Sequence, residues 1–338
     1  MSIQALADSL SISISTVSRA LNGYSDVSAA TRQRVFEAAK AMNYTPHPVA
    51  HRLATGKTGA IAIVNSTRKS QAIDGSAAAL HTGMASVLRA HNYFVLSLTL
   101  PTDEAELPEL ERLLAARLVD AVLLTRTRTL DPRVTLLQDK KIPFVTYGRT
   151  QCNVPHAWID TDSASAFEQA TAQLLALGHQ RIALINGMVH MTFASLYEKG
   201  FRKALADAGL DSQGCPVHYT EMTGQAGHHV ASQLLSTATK TARPTAFVCA
   251  TDALALGVMA AVRQAGLCVG KDVSVTGYGN SEAGKYVAPP LATFDHDLFD
   301  NGCRAAQLLL QVLAGQASSQ AQVLTAAQFL PRESIGRL

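Results

Sequence analysis

The stretch PHPVAHRLATGKT, residues 46–58, separates two parts of the chain whose sequence patterns differ. Two prolines open it and Gly56 closes it, an asymmetry typical of a short helix. Val49, Ala50 and Leu53 fall on one side of about two helical turns. A helix this short is marginal alone in water, so we expect it to form only when another surface holds it.

The segment before this stretch is predicted to form three short helices. Apolar residues recur at helical spacing from Ile3 to Leu10, and Ser2 can cap the helix that they indicate. A polar turn at 11–13 follows, and Ser13 can cap a second helix that ends at Asn22-Gly23. A third helix is expected over 29–42. Two short helices joined by so tight a turn predict a helix-turn-helix.

From residue 59 onward, strand and helix patterns alternate. Strands joined by helices of this length form βαβ units in parallel sheets, and the series restarts once, so we predict two Rossmann-like lobes. The predicted strands are 60–64, 94–98, 121–124, 144–146, 158–159, 181–185, 246–249 and 273–276. The predicted helices are 77–90, one ending near 117, 133–138, 164–177, 194–208, 224–235 and 253–264.

Composition excludes several protein classes. The 338 residues suffice for two or three domains, and 47% hydrophobic with 16% charged residues is typical of a globular protein. No apolar run approaches the roughly 20 residues of a membrane span, so no membrane partner is expected. A secretory signal is also missing, and the five scattered cysteines form no CxxC, which indicates a reducing cytoplasm without disulfides, metal or cofactor.

The net charge of +3 is unevenly distributed. Residues 1–58 carry six basic and three acidic residues, whereas the remainder carries 23 of each. The whole excess therefore lies in the first 58 residues, and a small positive block on a neutral body indicates a polyanionic partner for the block.

Three runs then resemble the headpiece and hinge of the LacI/GalR family of bacterial transcriptional repressors. They are ALADSLSISISTVSRALNG at 5–23, VSAATRQRVFEAAKAMNYTP at 27–46 and VAHRLATGKTG at 49–59, in the family's order and spacing. The resemblance implies a headpiece at 1–45, a hinge at 46–58 and a homodimer on a pseudo-palindromic operator, because such half-sites require two headpieces.

The resemblance also implies which residues contact DNA. Ile14, Ser15 and Arg19 would face base edges, where arginine can fork onto guanine and isoleucine offers only apolar contact. In the hinge, Ala50 lets two helices approach and Leu53 wedges into the minor groove, which bends the duplex. The residues that would hold phosphates are Ser13, Thr16, Ser18, Asn22, Ser28 and Thr31.

Two residues of the headpiece depart from the family pattern. Ser11 lies in the turn where relatives usually have glycine, and a serine reaches a left-handed conformation only at some cost in free energy. Asp26 lies where relatives often place a neutral or basic residue near DNA. It should repel phosphate, and we expect it to turn away.

The body resembles the family over its full length, through LLALGHQRIALING (174–187), CATDALALGVMAAVRQAGL (249–267), DVSVTGYGN (272–280) and PRES (331–334). Such bodies are similar to periplasmic sugar-binding proteins, with the effector between the lobes. The resemblance implies an N-lobe of about 59–159 plus 292–322 and a C-lobe of about 160–290 plus 323–338. The chain would cross between them near Asp160, Leu291 and Val323.

Ligands of open parallel sheets bind beyond the carboxyl ends of the strands. That rule, with the resemblance, predicts a small effector, expected to be a sugar, that contacts Ser66, Thr125, Arg126, Arg149, Asn186, Tyr197, Asp252 and Asn280.

Of the residues that bind sugar in the family, this sequence keeps only some. Tyr197 lies where relatives usually carry an arginine, Gly279 and Asn280 replace a frequent pair of aspartates, and Gly148 replaces another. The run TRTRTLDPRV (125–134) with YGRT (147–150) is similar to a subgroup of α-glucoside-type repressors and adds arginines near the cleft. Because arginine also suits phosphate, a nucleoside or phosphorylated metabolite remains the alternative effector.

Two other classes of function are disfavoured. A sugar- or nucleotide-pathway enzyme would show a phosphate-binding GxGxxG or GxxxxGK[ST] junction, a GxSxG elbow or an HExxH pair, and the sequence has none of these. A periplasmic binding protein would need a signal peptide and would not carry the basic headpiece. Retention on heparin and its salt dependence would separate the regulator from both.

Overall fold

The structure is a computed structural model that describes residues 2–44, 56–66, 75–100, 106–237, 242–316 and 321–338. The chain divides into two compact units. The first comprises Met1–Gly59 with Arg117–Asp120, and the second comprises Ala60–Ala116 with Ala121–Leu338. None of the helices in the described ranges is both long and apolar enough to cross a membrane.

The first unit contains the three predicted helices: α1 (Ile3–Leu10), α2 (Ile14–Leu21) and α3 (Ala29–Ala41). Ser2 and Ser13 cap the first two helices as predicted, each accepting a backbone N–H from three residues ahead. Ser11 adopts the predicted left-handed conformation, with φ 53°. The helices enclose a small core built around Leu6, Val17 and Val35, all fully buried.

The N-lobe of the second unit is built on a parallel six-stranded sheet. Its spatial order is β11-β5-β4-β3-β1-β2, so the chain returns late to add an edge strand beside β5. The strands are β1 (Ala60–Ser66), β2 (Phe94–Leu100), β3 (Ala121–Leu124), β4 (Phe144–Tyr147), β5 (Ala157–Thr161) and β11 (Gln322–Thr325).

The C-lobe is built on a four-stranded parallel sheet of order β7-β6-β8-β9, with β10 and β12 as a separate antiparallel pair. Every residue of β6 and β8 is buried, as expected for strands covered on both faces. The strands are β6 (Ile182–Asn186), β7 (Val217–Tyr219), β8 (Ala246–Cys249), β9 (Ser274–Thr276), β10 (Thr293–Asp295) and β12 (Gln328–Leu330).

The helices of the body pack in pairs against the sheets. Two such pairs meet at glycine: a Cβ on Gly83 would lie 2.0 Å from the Phe299 carbonyl oxygen, and one on Gly200 would lie 2.0 Å from that of Ala164. The helices are α4 (Gly75–Ala90), α5 (Glu106–Ala115), α6 (Pro132–Asp139), α7 (Ser163–Ala176), α8 (Thr192–Asp207), α9 (Gly224–Thr237), α10 (Asp252–Gln264), α11 (Glu282–Tyr286) and α12 (Leu298–Leu313).

Two crossovers between the lobes lie later in the chain than predicted. Strand β10 pairs with β12 and Phe294 packs in the C-lobe core, so the second crossover follows Asp295 rather than Leu291. Strand β11 pairs with β5 through Thr325, so the third crossover follows Thr325 rather than Val323. In both places strand pairing continues past the boundary that the family resemblance implied.

Candidate functional site

Two helix N-termini in the headpiece each carry a pair of hydroxyl groups. At the start of α2, the Ser13 hydroxyl accepts the Thr16 N–H and lies 2.8 Å from the Thr16 hydroxyl. At the start of α3, Ser28 repeats the arrangement with Thr31, at 2.9 Å between the two hydroxyls. Helix N-termini with such donors are suited to bind anions such as DNA phosphates.

The outer face of α2 carries the residues that were predicted to read bases. Ile14, Ser15 and Arg19 are exposed, while Val17 and Ala20 of the same helix are buried. Near the end of the helix, the Ser18 hydroxyl accepts a hydrogen bond from the Asn22 side-chain amide at 3.4 Å. The helix therefore presents one polar side that is free of core contacts.

Asp26 does not turn away from this face. Its carboxylate accepts from the Arg19 guanidinium, with 2.7 Å between Nη1 and Oδ2. The chain folds back after α2, with the Tyr24 N–H donating to the Arg19 carbonyl, and this turn brings the two side chains together. The two predicted hinge residues, Ala50 and Leu53, lie outside the described residues.

In the body, an ion pair lies where the chain first crosses between the lobes. Arg149, just after β4, donates to Asp160 of β5 at 2.7 Å, and its guanidinium also lies 5.7 Å from the ring centroid of Trp158. The Arg149 Nη2 atom is buried and has no hydrogen-bond partner among the residues that the structure describes. Burial raises the pKa of Asp160 despite the opposing effect of Arg149.

Polar groups gather around this pair from both lobes. The Asn301 amide donates to the His296 carbonyl at 2.6 Å and lies 3.4 Å from the Tyr147 hydroxyl. The Asn301 amide also lies 3.5 Å from the Thr161 hydroxyl, and Tyr278 of the C-lobe stacks on the His296 ring. Burial raises the pKa of Tyr147 to about 12, so the phenol stays protonated and can act as a neutral hydrogen-bonding group.

Tyr197 packs in a cluster of aromatic rings and is not placed as a charged ligand-binding group. Its ring stacks on Phe167 at 4.0 Å between centroids and lies 5.6 Å from Tyr278, which in turn stacks on His296 at 4.6 Å. Burial raises the pKa of Tyr197. Where relatives carry a charged arginine, this chain therefore places a neutral ring in a stack.

Two further residues that were predicted to contact the effector form hydrogen bonds within their own lobes. The Thr125 hydroxyl donates to the Val64 carbonyl and to Asn65 Oδ1, both at 3.0 Å. The Asn186 amide donates to the Ala194 carbonyl at 2.8 Å, and Asn186 is fully buried. Their polar atoms are therefore engaged, which argues for structural roles.

The same holds for Asp252 and Asn280. The Asp252 carboxylate accepts from the Ser281 N–H and the Thr293 hydroxyl, each at 2.6 Å. The Asn280 side-chain Oδ1 accepts from the Arg332 guanidinium at 2.6 Å. Both residues tie segments of the C-lobe together, and their side chains do not join Arg149.

The arginines predicted near the cleft, Arg126, Arg128 and Arg149, do not form one positive patch, because Arg128 and Arg149 each pair with an acidic residue. Arg128 pairs with Glu106, and the fully buried Arg133 bonds both Glu106 and Asp131. The Arg133 guanidinium also donates to the carbonyls that follow β3, at Thr125 and Arg126. These charges brace the loop after β3 instead of facing a ligand. Ser66 ends β1, at the carboxyl edge of the sheet as predicted.

That braced loop is joined to the C-lobe by its backbone. The Thr192 N–H donates to the Thr127 carbonyl at 3.0 Å, and the Thr129 N–H donates to the His190 carbonyl at 3.1 Å. The two bonds flank an antiparallel bridge between Arg128 and Met191. We call this contact the interlobe bridge.

The structure adds four residues to those predicted from the sequence: Asp160, Tyr278, His296 and Asn301. Tyr278 comes two residues after β9 ends, so the rule of carboxyl strand ends could have found it. His296 lies on the second crossover, which follows no parallel strand, and Asn301 lies in the first turn of α12, so the rule of strand ends marks neither of them.

Comparisons with known proteins agree with this architecture. The family description "Bacterial regulatory proteins, lacI family" matches residues 2–47, and "Periplasmic binding protein-like domain" matches residues 171–335. The chain is 36% identical to the HTH-type transcriptional regulator AglR of Rhizobium meliloti, over 99% of this chain and 94% of that protein. It is 31% identical to RafR of Escherichia coli, over 99% and 98%.

Two solved structures are similar across the whole chain. The transcriptional regulator CelR in complex with cellobiose has a TM-score of 0.75 at 27% identity and covers 99% of both chains. The lac repressor dimer bound to operator and the anti-inducer ONPF has a TM-score of 0.82 at 25% identity and covers 99% of this chain and 98% of that one. The chain belongs to the lacI family of bacterial regulatory proteins.

Proposed function

We propose that this chain is a cytoplasmic transcription regulator that acts as a repressor and not as an enzyme, and that a small sugar between its lobes controls operator binding. The observation that carries the DNA-binding part is the pair of hydroxyl-capped helix N-termini beside the exposed face of α2. The N-termini position the headpiece on phosphates, while Arg19 and Ile14 read bases.

The operator-bound state is a homodimer. The lac repressor structure, a dimer on its operator, supports this assembly. Two headpieces would then occupy the half-sites of a pseudo-palindrome. Ala50 and Leu53 keep the minor-groove roles that the family resemblance implies.

A neutral sugar suits the cleft better than a phosphorylated metabolite. The charge of Arg149 is already balanced by Asp160 at 2.7 Å, so an anionic ligand meets little net positive charge from this pair. Tyrosine rings and neutral hydrogen-bonding groups surround the pair, and such groups bind sugar faces and hydroxyls. The cellobiose in the CelR complex supports the same class.

The DNA-binding part is tested by selecting duplexes from a randomised pool with the full chain. Arg19→Ala should weaken the selected site by about 1–3 kcal/mol and relax one base position. Arg34→Ala, which removes an exposed charge from α3, is the matched control and should leave base preference unchanged. A parent chain that enriches no sequence would refute the proposal.

The effector part is tested by calorimetry with cellobiose, maltose, glucose 6-phosphate and adenosine. We expect a neutral sugar to bind and to change affinity for the selected duplex. Arg149→Met should abolish that response and leave DNA binding without sugar intact. Binding of only the phosphate or the nucleoside would favour the alternative effector class.

A further inference from the structure

The pair formed by Arg19 and Asp26 has a geometry that points beyond simple charge balance. Asp26 engages only Nη1 of the guanidinium, at 2.7 Å, and both side chains remain more than half exposed, at 58% and 52%. A guanidinium is a planar fork with five donors, so the other edge stays available for a second, bidentate partner.

The loop that carries Asp26 is itself held in place. The Arg32 guanidinium donates to the Tyr24 carbonyl at 2.8 Å and to the Val27 carbonyl at 3.4 Å. Val27 is buried in the headpiece core. The backbone on both sides of Asp26 is therefore held in place, so its carboxylate can determine the direction of the Arg19 side chain.

Stability of the fold does not explain this pair. Exposed ion pairs contribute little to folding, and a carboxylate on a surface that meets DNA repels phosphates. The acid Asp8 of the same headpiece has a different partner, because it accepts from Gln4 one helical turn away. Asp26 alone of these two touches the arginine on the face of α2.

We infer that Asp26 is a specificity-determining residue that positions Arg19 for a guanine and keeps it from phosphates. The inference rests on the DNA-binding function proposed above. On the cognate base pair, Arg19 arrives already oriented and loses less rotamer freedom. On other sequences, the guanidinium remains tied to Asp26, and the carboxylate opposes close approach to the backbone.

The test compares Asp26→Asn with Asp8→Asn, which removes the same charge from α1 without touching Arg19. Each full-length variant selects duplexes from a randomised pool, and its affinity for the parent's selected site and for poly(dI-dC) is measured against salt. One base pair of the selected site is the one whose preference Arg19→Ala relaxes. At that base pair, Asp26→Asn should reduce the discrimination between the preferred base and the others by about fivefold or more. Its nonspecific salt slope should steepen by about one, because the released arginine can bind a phosphate.

Asp8→Asn should change affinity for all sequences alike and keep the slope and the base preference. In an Arg19→Ala background, Asp26→Asn should no longer alter base preference. Equal behaviour of Asp26→Asn and Asp8→Asn would overturn the inference, as would tighter and more selective binding by Asp26→Asn. If the parent itself enriches no sequence, the proposed function fails as well, whereas a preference that Asp26→Asn fully retains refutes only the role of Asp26.

Discussion

Arg133 is a fully buried arginine in the body, and its environment balances its charge almost completely. Its guanidinium bonds Asp131 at 2.6 Å and Glu106 at 3.2 Å, and these acids are themselves buried. Burial acts to raise the pKa of Asp131, but the Arg133 guanidinium and the backbone N–H groups of Arg128 and Arg133 together lower it. A network of this kind is stable only while each charge keeps its partner.

Removing Arg133 should therefore destabilise the body strongly. Arg133→Met leaves the buried Asp131 without its guanidinium partner and takes one arginine partner from Glu106, which keeps Arg128. We expect a loss of about 3–5 kcal/mol in the free energy of unfolding. Arg112→Met is the control, because Arg112 forms an exposed pair with Glu109 and should contribute about 0–1 kcal/mol. Urea denaturation followed by circular dichroism measures both. Equal stability of the two variants would contradict this account of the network.

At the scale of elements, the interlobe bridge depends on where α8 begins. Thr192 is the first residue of that helix, and its N–H is one that the helix itself does not use. It donates to Thr127 across the cleft instead. The preceding residue, Met191, is extended at φ −82° and ψ 135°.

This geometry permits a substitution that removes one interlobe bond and little else. Proline is favoured at the first position of a helix and requires an extended residue before it, so Thr192→Pro should fold while it loses the N–H donor and the side-chain hydroxyl. Hydrogen exchange at the Thr129 amide, the second bond of the bridge, should accelerate about tenfold or more, because opening the lobes then breaks one bond instead of two.

Thr192→Ala is the matched control for this variant, since it keeps the N–H and removes the same hydroxyl. Its Thr129 amide should exchange as in the parent. If Thr129 exchanges equally in the proline variant, the bridge does not hold the lobes together.

Sequence patterns predicted the headpiece and most βαβ units, because helix caps and periodic apolar residues are local signals. The Ser13 cap and the strands around Ile182–Asn186 are examples. No element was predicted for Leu298–Leu313, although Ala305, Leu308 and Leu309 recur there at helical spacing. None was predicted for β11 either, which pairs with a strand about 160 residues earlier. Partners so distant in sequence leave no local trace.

The candidate site follows the same division. A strand end indicated Arg149 and the family resemblance indicated Tyr197, but the sequence could not show that Thr125 or Asp252 has its polar atoms occupied by neighbours. Those bonds depend on tertiary packing. His296 escaped notice because it lies in a connection between the lobes.

At the scale of the whole molecule, buried histidines are spread across both lobes. Burial lowers the pKa of His296 to about 4, against an opposing effect of Asp295 and Asp297. Burial also lowers the pKa of His156 in the N-lobe and of His179 in the C-lobe. Because the pKa of each ring is lower in the folded body than in the unfolded chain, the unfolded chain binds protons at a higher pH.

The body should therefore lose stability in mild acid. Between the ordinary histidine pKa of 6.5 and the lowered folded value, the unfolded state binds more protons, so stability falls as pH falls through this window. Each such histidine should contribute about 1.4 kcal/mol per pH unit until its folded pKa is reached. Urea titrations at pH 7, 6 and 5 measure the slope, and His296→Gln should make it shallower. A stability that rises from pH 7 to pH 5 would contradict the role of these rings.

Gly148 lies where the family resemblance places a frequent aspartate, and its geometry limits which residues this position can accept. Its φ is +113°, and a Cβ there would lie 2.4 Å from the Thr127 hydroxyl oxygen. A single mutation to aspartate would meet both a strained backbone and a clash. Engineering an aspartate into this position therefore needs two changes at once: a smaller side chain in place of Thr127, and a turn that no longer holds residue 148 at positive φ.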